Sequence, residues 1–369
     1  ATYGSLLYKT IDKAIFDTMK LDGKVMGFPA AGNMPKRDVF QVLLYREDLR
    51  LKYKMPALTS IENVEKFFDT IKQNEPGMTP LACKSTAYRI MKAFGEGGFL
   101  GGTNGAVGYE LIGGKAAKAW PIQDLPAWKG AVAKAREWYL KGYLPKDILN
   151  IADETALLKA GTAAAVSGSA MTAAENQGTV SQVLPGAVLA EAVVELPTRT
   201  KYISGNGGNA FYLSAVSKHP EEVVKFWAWP ITSQENYDLY CFGILGKNYQ
   251  LDNNRIKYLN SDYTEFPSWM FKNIVWYRFP MGLTDSYIQT VKDWDKGSVP
   301  DPLTGFVFNP KEVSAELAAY SAVWGQYTNA LSTGTLDNLA DVNAKFKAAG
   351  QDKIVAAAQK QLDAFFAGK

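Results

Sequence analysis

Apolar runs of strand length alternate with amphipathic stretches of helix length along most of this chain. Strand-like runs at 40–45, 162–166 and 188–196 are separated by helix-like segments, of which 128–141 has a clear apolar stripe. Strands that alternate with helices are typical of mainly parallel sheets flanked by helices. With 369 residues the chain is long for one average domain. The pattern therefore predicts an α/β protein of two domains.

The charge balance argues against nucleic acid as a partner. The chain has 40 basic and 37 acidic residues, for a net charge of +3, and no dense cluster of lysine and arginine. A nucleic-acid-binding surface needs a strong positive field. No apolar run approaches the length of a membrane span either.

The sequence offers few ligands for a metal or a redox group. Cys83, Cys241 and His219 are its cysteines and its histidine, and three scattered side chains do not make a typical metal site. We therefore expect no metal and no cofactor. Whether the two cysteines form a disulfide depends on their separation in the fold, which the sequence leaves open.

The motifs of enzymatic chemistry are missing from the sequence. His219 precedes Pro220 at a predicted helix start, and neither a nucleophile with its base nor Gly-x-Ser-x-Gly accompanies it. The glycine-dense segment 95–114 lacks the Gly-Lys-Ser/Thr ending of a phosphate loop, so we interpret it as a mobile surface loop. A pair of carboxylates for glycoside cleavage stays an open alternative, because the sequence does not give the distance between acidic side chains in the fold. The nearest acids to the proposed site are Asp38, Glu47, Asp48 and Glu175.

The segment 201–249 carries the most local information. A Gly/Asn loop at 205–209 leads into a predicted strand at 210–216. Pro220 suits the first turn of a helix, and Ser233 is a typical cap for the next one. That second helix ends at a glycine-bounded stretch, 243–249.

This order of loop, strand, Ser-Lys-x-Pro-Glu, two helices and Gly-Ile-x-Gly-Lys-x-Tyr resembles the extracellular solute-binding proteins of family 1, which serve ABC importers. The lipoprotein branch of that family is the most similar. Further matches lie at 21–29, 44–49, 301–310, 318–324 and 349–354. The resemblance spans nearly the whole chain in one order.

The resemblance implies a periplasmic-binding-protein-like fold of two lobes, with a ligand in the cleft between them and hinge closure around it. It divides the chain into 1–35, part of an incomplete lobe 1; 36–200, lobe 2; 201–300, the return to lobe 1; and 301–369, helices that pack on lobe 2. Such proteins usually begin with a strand–helix–strand unit upstream of the turn at Asp22, and we expect that unit to be absent here.

The resemblance also implies a protein partner and a cellular location. It predicts a monomer that delivers its ligand to a membrane permease. It predicts a location on the extracellular face of a bacterial membrane or in the periplasm, with a lipid anchor in the full-length precursor. No chemistry on the ligand is implied.

Aromatic residues make up 12% of the chain; we expect most of them to fill the cores, and the others would supply stacking surfaces for flat ligand faces such as sugar rings. The turn that follows the predicted strand 162–166 would lie at a strand's carboxyl end, where ligands bind in open α/β sheets. We predict an oligosaccharide ligand, held by rings and by Asn and Ser side chains, with Arg278 as a clamp. The predicted ligand-binding residues are Asn33, Met34, Ser167, Ser169, Met171, Asn206, Asn209, Phe211, Trp276, Tyr277 and Arg278. A glycan-cleaving enzyme and a peptide-binding receptor are the alternatives.

Overall fold

The structure, a computed structural model, describes residues 5–10, 19–21, 24–29, 35–37, 41–203, 210–260 and 273–368. Its α-helices are α1 Ser5–Thr10, α2 Glu47–Lys52, α3 Ile61–Asn74, α4 Thr86–Ile90, α5 Pro126–Leu140, α6 Glu154–Lys159, α7 Thr172–Val183, α8 Pro220–Ala228, α9 Gln234–Phe242, α10 Asp285–Lys292, α11 Ser314–Thr333, α12 Leu339–Ala348 and α13 Gln351–Ala367. Its strands are β1 Lys20–Leu21, β2 Lys24–Val25, β3 Phe28–Pro29, β4 Val42–Arg46, β5 Gly98–Phe99, β6 Val107–Ile112, β7 Ala116–Pro121, β8 Ala165–Gly168, β9 Leu189–Ala192, β10 Tyr202–Ile203, β11 Ala210–Phe211, β12 Tyr249–Asp252, β13 Arg255–Tyr258 and β14 Val299–Pro300. The mixture of helices and sheets confirms the predicted α/β class.

The pairing of the strands corrects the expectation of mainly parallel sheets. Two sheets have three strands each, in the orders β8-β4-β9 and β5-β6-β7. In them β4 pairs with β8, and β6 with both β5 and β7, in antiparallel register. Parallel pairing occurs between β10 and β14 and in four isolated bridges of the described residues, which include those from Thr79 to Ala163 and from Ala82 to Val166. The turn between β6 and β7 is too short for the crossover that parallel strands require, so these two must be antiparallel.

Contacts between Cα atoms divide the chain into two compact units. Unit 1 comprises Ala1–Val39, Ala170–Ala190 and Lys201–Gly305, and unit 2 comprises Phe40–Ser169, Glu191–Thr200 and Phe306–Lys369.

This division differs from the predicted boundaries at 170–190, which the sequence placed in lobe 2. The reason is the packing of α7. A Cβ atom at Gly178 on this helix would lie 2.4 Å from the ring of Tyr258, and one at Gly282 would lie 2.9 Å from Nε2 of Gln177. These close approaches hold α7 against later parts of unit 1.

The core of unit 2 contains a cluster of large rings. Phe68 lies 5.2 Å from Trp138 and 5.5 Å from Tyr143 between ring centroids, and all three are buried. The indole N–H of Trp138 donates to a carboxylate oxygen of Glu65 at 2.7 Å, so its one polar atom is satisfied. This packing joins α3 to α5 and its following turn.

The glycine-dense segment 95–114 forms a sheet, so its interpretation as a surface loop was wrong. It holds β5 and all of β6. A Cβ atom at Gly97 would lie 2.3 Å from the carbonyl oxygen of Tyr109, and one at Gly108 would lie 2.9 Å from a methyl carbon of Leu125. The glycines are needed here for close packing, not for mobility.

The carboxyl-terminal helix α13 lies along the outer edge of this sheet. The side chain of Gln359 accepts a hydrogen bond from the amide of Ala119 at 2.7 Å and donates one to the carbonyl of Ala117 at 3.0 Å. One side chain thus satisfies two edge groups of β7. On the same helix, buried Gln351 donates to the carbonyl of Ala106 at 2.9 Å.

Unit 1 contains the two helices predicted for the segment 201–249. The Ser233 hydroxyl caps α9 by accepting the amide of Asn236 at 3.2 Å, and Gly243 ends that helix with φ of 86°. The predicted strand 210–216 is shorter than expected. It pairs with β3 only at Ala210 and Phe211, because the partner strand has two residues.

Neither cysteine is part of a disulfide bond and both are buried, which answers the question that the sequence left open. Burial raises the pKa of the Cys83 thiol to about 11, and it is the thiolate that reacts with alkylating and disulfide reagents. We expect a chromogenic disulfide to find two thiols in each urea-unfolded chain, and Cys83 to react slowly in the folded protein at pH 8. Rapid modification of Cys83 in the native state, located by peptide mass, would contradict this expectation.

Among the described residues, no helix combines the length and the apolar character needed to cross a membrane.

Candidate functional site

Four aromatic side chains meet on one side of unit 2, and we call them the ring wall: Tyr88, Phe99, Trp128 and Trp324. The centroid of Phe99 lies 5.7 Å from that of Tyr88, 5.0 Å from Trp128 and 6.0 Å from Trp324. Trp128 is buried, whereas the other three are half-buried. The rings come from α4, β5, α5 and α11, so the wall exists only in the folded unit.

Trp324 is held in the wall from behind. A Cβ atom at position 105 would lie 2.4 Å from its indole, and Gly105 also has φ of 82°, which favours glycine. The neighbouring Tyr320 stacks on Trp324 at 6.2 Å and donates its hydroxyl proton to the carbonyl of Gly105 at 3.2 Å. These contacts fix the orientation of the indole before any ligand arrives.

Polar groups adjoin the ring wall at the end of β8. The guanidinium of Arg89 donates to the carbonyl of Gly168 at 2.8 Å and to the hydroxyl of Ser85 at 3.0 Å. It also lies 5.5 Å from the centroid of the Tyr88 ring. Burial raises the pKa of Tyr88 despite the opposing charge of Arg89, so its hydroxyl stays protonated at neutral pH. An apolar wall next to fixed donors and acceptors suits a ligand with apolar faces and hydroxyl edges.

The predicted serines lie near this end of the sheet. Ser167 lies within β8 rather than beyond it, and its hydroxyl donates to Glu154 at 2.6 Å. The other oxygen of Glu154 accepts the amide of Lys84 at 2.5 Å. Ser169 follows the strand and is half-buried. Ser167 therefore already has a hydrogen-bond partner, Glu154, inside unit 2. Ligand binding by Ser167 and by Ser169 stays a prediction.

The remaining predicted residues of the described chain belong to unit 1. Met171 is fully buried and has φ of 67° at the start of α7. Phe211 stacks on Trp227 at 5.4 Å with the rings 24° apart. Both positions stay predictions as ligand contacts.

The predicted residues Trp276 and Tyr277 differ in their exposure and in their contacts. Trp276 is half-buried, and its carbonyl accepts from Gln234 at 2.8 Å. Tyr277 is 7% exposed and packs against Phe279 at 5.1 Å.

Arg278 is bound within unit 1. It donates from Nε to a carboxylate oxygen of Asp238 at 2.7 Å, and both side chains are largely buried. The predicted residues Asn33, Met34, Asn206 and Asn209 lie outside the described residues.

Sequence analysis missed the members of the ring wall and the nearby Arg89. Two signals pointed toward them. Trp324 ends the motif at 318–324, and the glycines at 97 and 105 mark close approaches around β5. The four rings lie far apart in the sequence, and no sequence pattern indicated that they meet in the folded protein.

The described residues contain no group of three or more His, Cys, Asp or Glu side chains that could hold a metal ion. His219 is exposed at the start of α8, where its amide donates to the hydroxyl of Ser217.

Comparison with known proteins gives a consistent set of relatives. A family described as a domain of unknown function, DUF3502, matches residues 302–367, which include Trp324 and all of α11 and α12. A carbohydrate ABC transporter substrate-binding protein of Streptococcus pneumoniae is 25% identical over 382 residues, which cover 99% of this chain and 74% of that protein.

Solved structures show the same fold. The N-glycan transport solute binding protein (NgtS) from Streptococcus pneumoniae superimposes with a TM-score of 0.77 at 22% identity, over 99% of this chain and 80% of that one. Its complex with Man5GlcNAc gives 0.74 at 22% identity, over 100% and 81%. The alginate-binding protein AlgQ2 gives 0.60 at 16% identity, over 98% and 80%. The chain is thus similar over nearly its whole length to carbohydrate ABC transporter substrate-binding proteins and has the two-domain α/β fold of the solved solute-binding proteins, as its motifs predicted.

Proposed function

We propose that this protein is the substrate-binding component of an ABC importer and that its ligand is an oligosaccharide. The observation that carries the proposal is the ring wall, in which three half-buried rings adjoin the polar groups around Arg89. Sugar rings have apolar C–H faces that stack on aromatic side chains and hydroxyl edges that need hydrogen-bond partners. The names of the relatives support the same ligand class, since NgtS was solved with Man5GlcNAc.

The ring wall supplies the stacking surface in this proposal, and the residues predicted from the sequence stay proposed ligand contacts. Among the described candidates, the partly exposed side chains are those of Ser167, Ser169, Phe211, Trp276 and Arg278. Asn33, Met34, Asn206 and Asn209 remain proposed contacts from the sequence. Arg278, whose Nε is bound to Asp238, also stays a proposed ligand contact.

We further propose that the ligand is bound and released unchanged. Binding proteins of this type deliver their ligand to a permease from the extracellular or periplasmic side of a membrane. A monomer with a lipid anchor in its precursor is the form that the family resemblance implies.

Titration calorimetry against a glycan panel tests the proposal. The panel contains mannose–N-acetylglucosamine oligosaccharides, alginate oligosaccharides and, as controls, short peptides and free amino acids. We expect one oligosaccharide class to bind with one site per chain and a negative heat-capacity change, because apolar sugar faces leave water.

Two results would contradict the proposal. One is binding of peptides with no response to any glycan. The other is the appearance of cleavage products when the protein is incubated with the bound glycan, which would favour the enzymatic alternative.

A further inference from the structure

Gln41 precedes β4 and carries a buried oxygen without a hydrogen-bond partner. The residue is 8% exposed, and its side-chain carbonyl Oε1 receives no hydrogen bond in the structure. Buried polar atoms are paired in the great majority of cases, so an unpaired one calls for an explanation. A side-chain amide oxygen accepts hydrogen bonds, so what is missing here is a donor.

The position of Gln41 relates it to the ring wall. Val42 pairs with Gly168 at the end of the antiparallel register of β4 and β8, and that register, continued by one residue, would bring Gln41 opposite Ser169. The carbonyl of Gly168 accepts a hydrogen bond from Arg89, whose neighbour Tyr88 begins the wall. The unpaired acceptor therefore lies at the end of the sheet where the polar groups adjoin the rings.

Other buried glutamines of the chain show the contrast. In Gln351 the side-chain oxygen accepts from Gln123 at 2.8 Å and the nitrogen donates to the carbonyl of Ala106. In Gln177 the oxygen accepts the amide of Leu189 at 2.8 Å. Both are fully buried, and their side chains hydrogen-bond to other groups of the folded protein. Gln41 is buried to a similar degree but leaves its acceptor unused in the ligand-free protein.

We propose that Gln41 is a specificity-determining residue of the saccharide site and that its Oε1 accepts a hydrogen bond from one ligand hydroxyl. The inference rests on the proposed function and deepens it. A site built to pair with a substrate hydroxyl discriminates strongly against the analogue that lacks it, because the buried group is then left unpaired. Gln41 therefore selects saccharides with a free hydroxyl at one ring position.

The test uses Gln41→Leu, which keeps the side-chain volume but removes the acceptor, with Gln351→Leu as the matched control in the same unit. Affinity for the glycan found by calorimetry and the thermal unfolding midpoint without ligand are measured for both. We expect Gln41→Leu to weaken binding about tenfold, in line with the loss of one buried hydrogen bond. Its unfolding midpoint should stay equal or rise, since an unpaired acceptor is removed. Gln351→Leu should lower the midpoint and leave the affinity unchanged.

A second measurement uses monodeoxy analogues of the same glycan. Removing one particular hydroxyl should weaken binding to the wild-type protein but not to Gln41→Leu. Wild-type protein that binds the glycan, together with a Gln41→Leu variant whose affinity is within twofold, would overturn the role of Gln41 alone. A lowered midpoint with unchanged affinity would overturn it too, by indicating a structural water at this acceptor. Wild-type protein that binds no glycan would overturn the proposed function and this role with it.

Discussion

Replacing Phe99 with alanine is expected to weaken glycan binding at least tenfold. Phe99 is the central ring of the wall and contacts Tyr88, Trp128 and Trp324. Its loss removes a stacking surface and also the support that orients the half-buried Tyr88 and Trp324. An aromatic contact contributes about 0.5–1.5 kcal/mol beyond its buried area, and about 1.4 kcal/mol corresponds to a factor of ten in affinity. Calorimetry with the glycan identified for the wild-type protein measures the effect.

Phe306→Ala is the matched control for this experiment. Phe306 is also half-buried in unit 2 and pairs with another ring, Phe365, at 5.4 Å, but it does not belong to the ring wall. We expect this variant to bind glycan with wild-type affinity. Equal losses in the two variants would mean that Phe99 acts through general stability, and the ring wall would then lose its place in the ligand site.

Replacing Gly334 with alanine is expected to reduce the free energy of unfolding of the protein by about 3 kcal/mol or more. Gly334 ends α11 with φ of 72°, a conformation that costs little only for glycine. A Cβ atom there would lie 2.3 Å from the Cα and the amide nitrogen of Arg136. Because backbone atoms are met, no side-chain rotation relieves the overlap. Relaxation would also disturb the hydrogen bond from Arg136 to the Gly334 carbonyl, 2.8 Å long.

Urea unfolding followed by circular dichroism measures this change. Gly325→Ala serves as the control, because Gly325 lies inside the same helix and a Cβ atom there would meet nothing within 4 Å. Alanine is the better helix former by about 1 kcal/mol, so this variant should be equally or more stable than the wild type. Similar unfolding midpoints for the two variants would show that α11 and α5 do not approach as described.

The helices of this chain were predictable because their signals are local. Ser60 and Ser233 cap their helices by accepting the amides of Asn63 and Asn236, each three residues ahead. The break at Gly350 likewise separates α12 from α13, with φ of 89°. A cap and a helix break depend on a few neighbouring residues, which the sequence displays directly.

Strands and the ring wall depend on partners far along the chain, and there the predictions were weaker. The run 210–216 has strand-like residues, yet only Ala210 and Phe211 pair, because β3 is short. The glycine-dense segment looked like a loop because the close contacts of its glycines, with Tyr109 and Leu125 among others, could not be known in advance. The alternation of strand-like and helix-like segments predicted the α/β class, whereas the contacts of Phe99 required the structure.

The contact of Gln359 with β7 has a consequence for how this protein behaves in concentrated solution. The outer side of an edge strand is a template on which a strand from another molecule can add. In unit 2 the side-chain amide of Gln359 bonds to the edge groups of Ala117 and Ala119, as the peptide group of a neighbouring strand would do. A shortened chain without α13 would regain an open edge, and self-association would then compete with refolding.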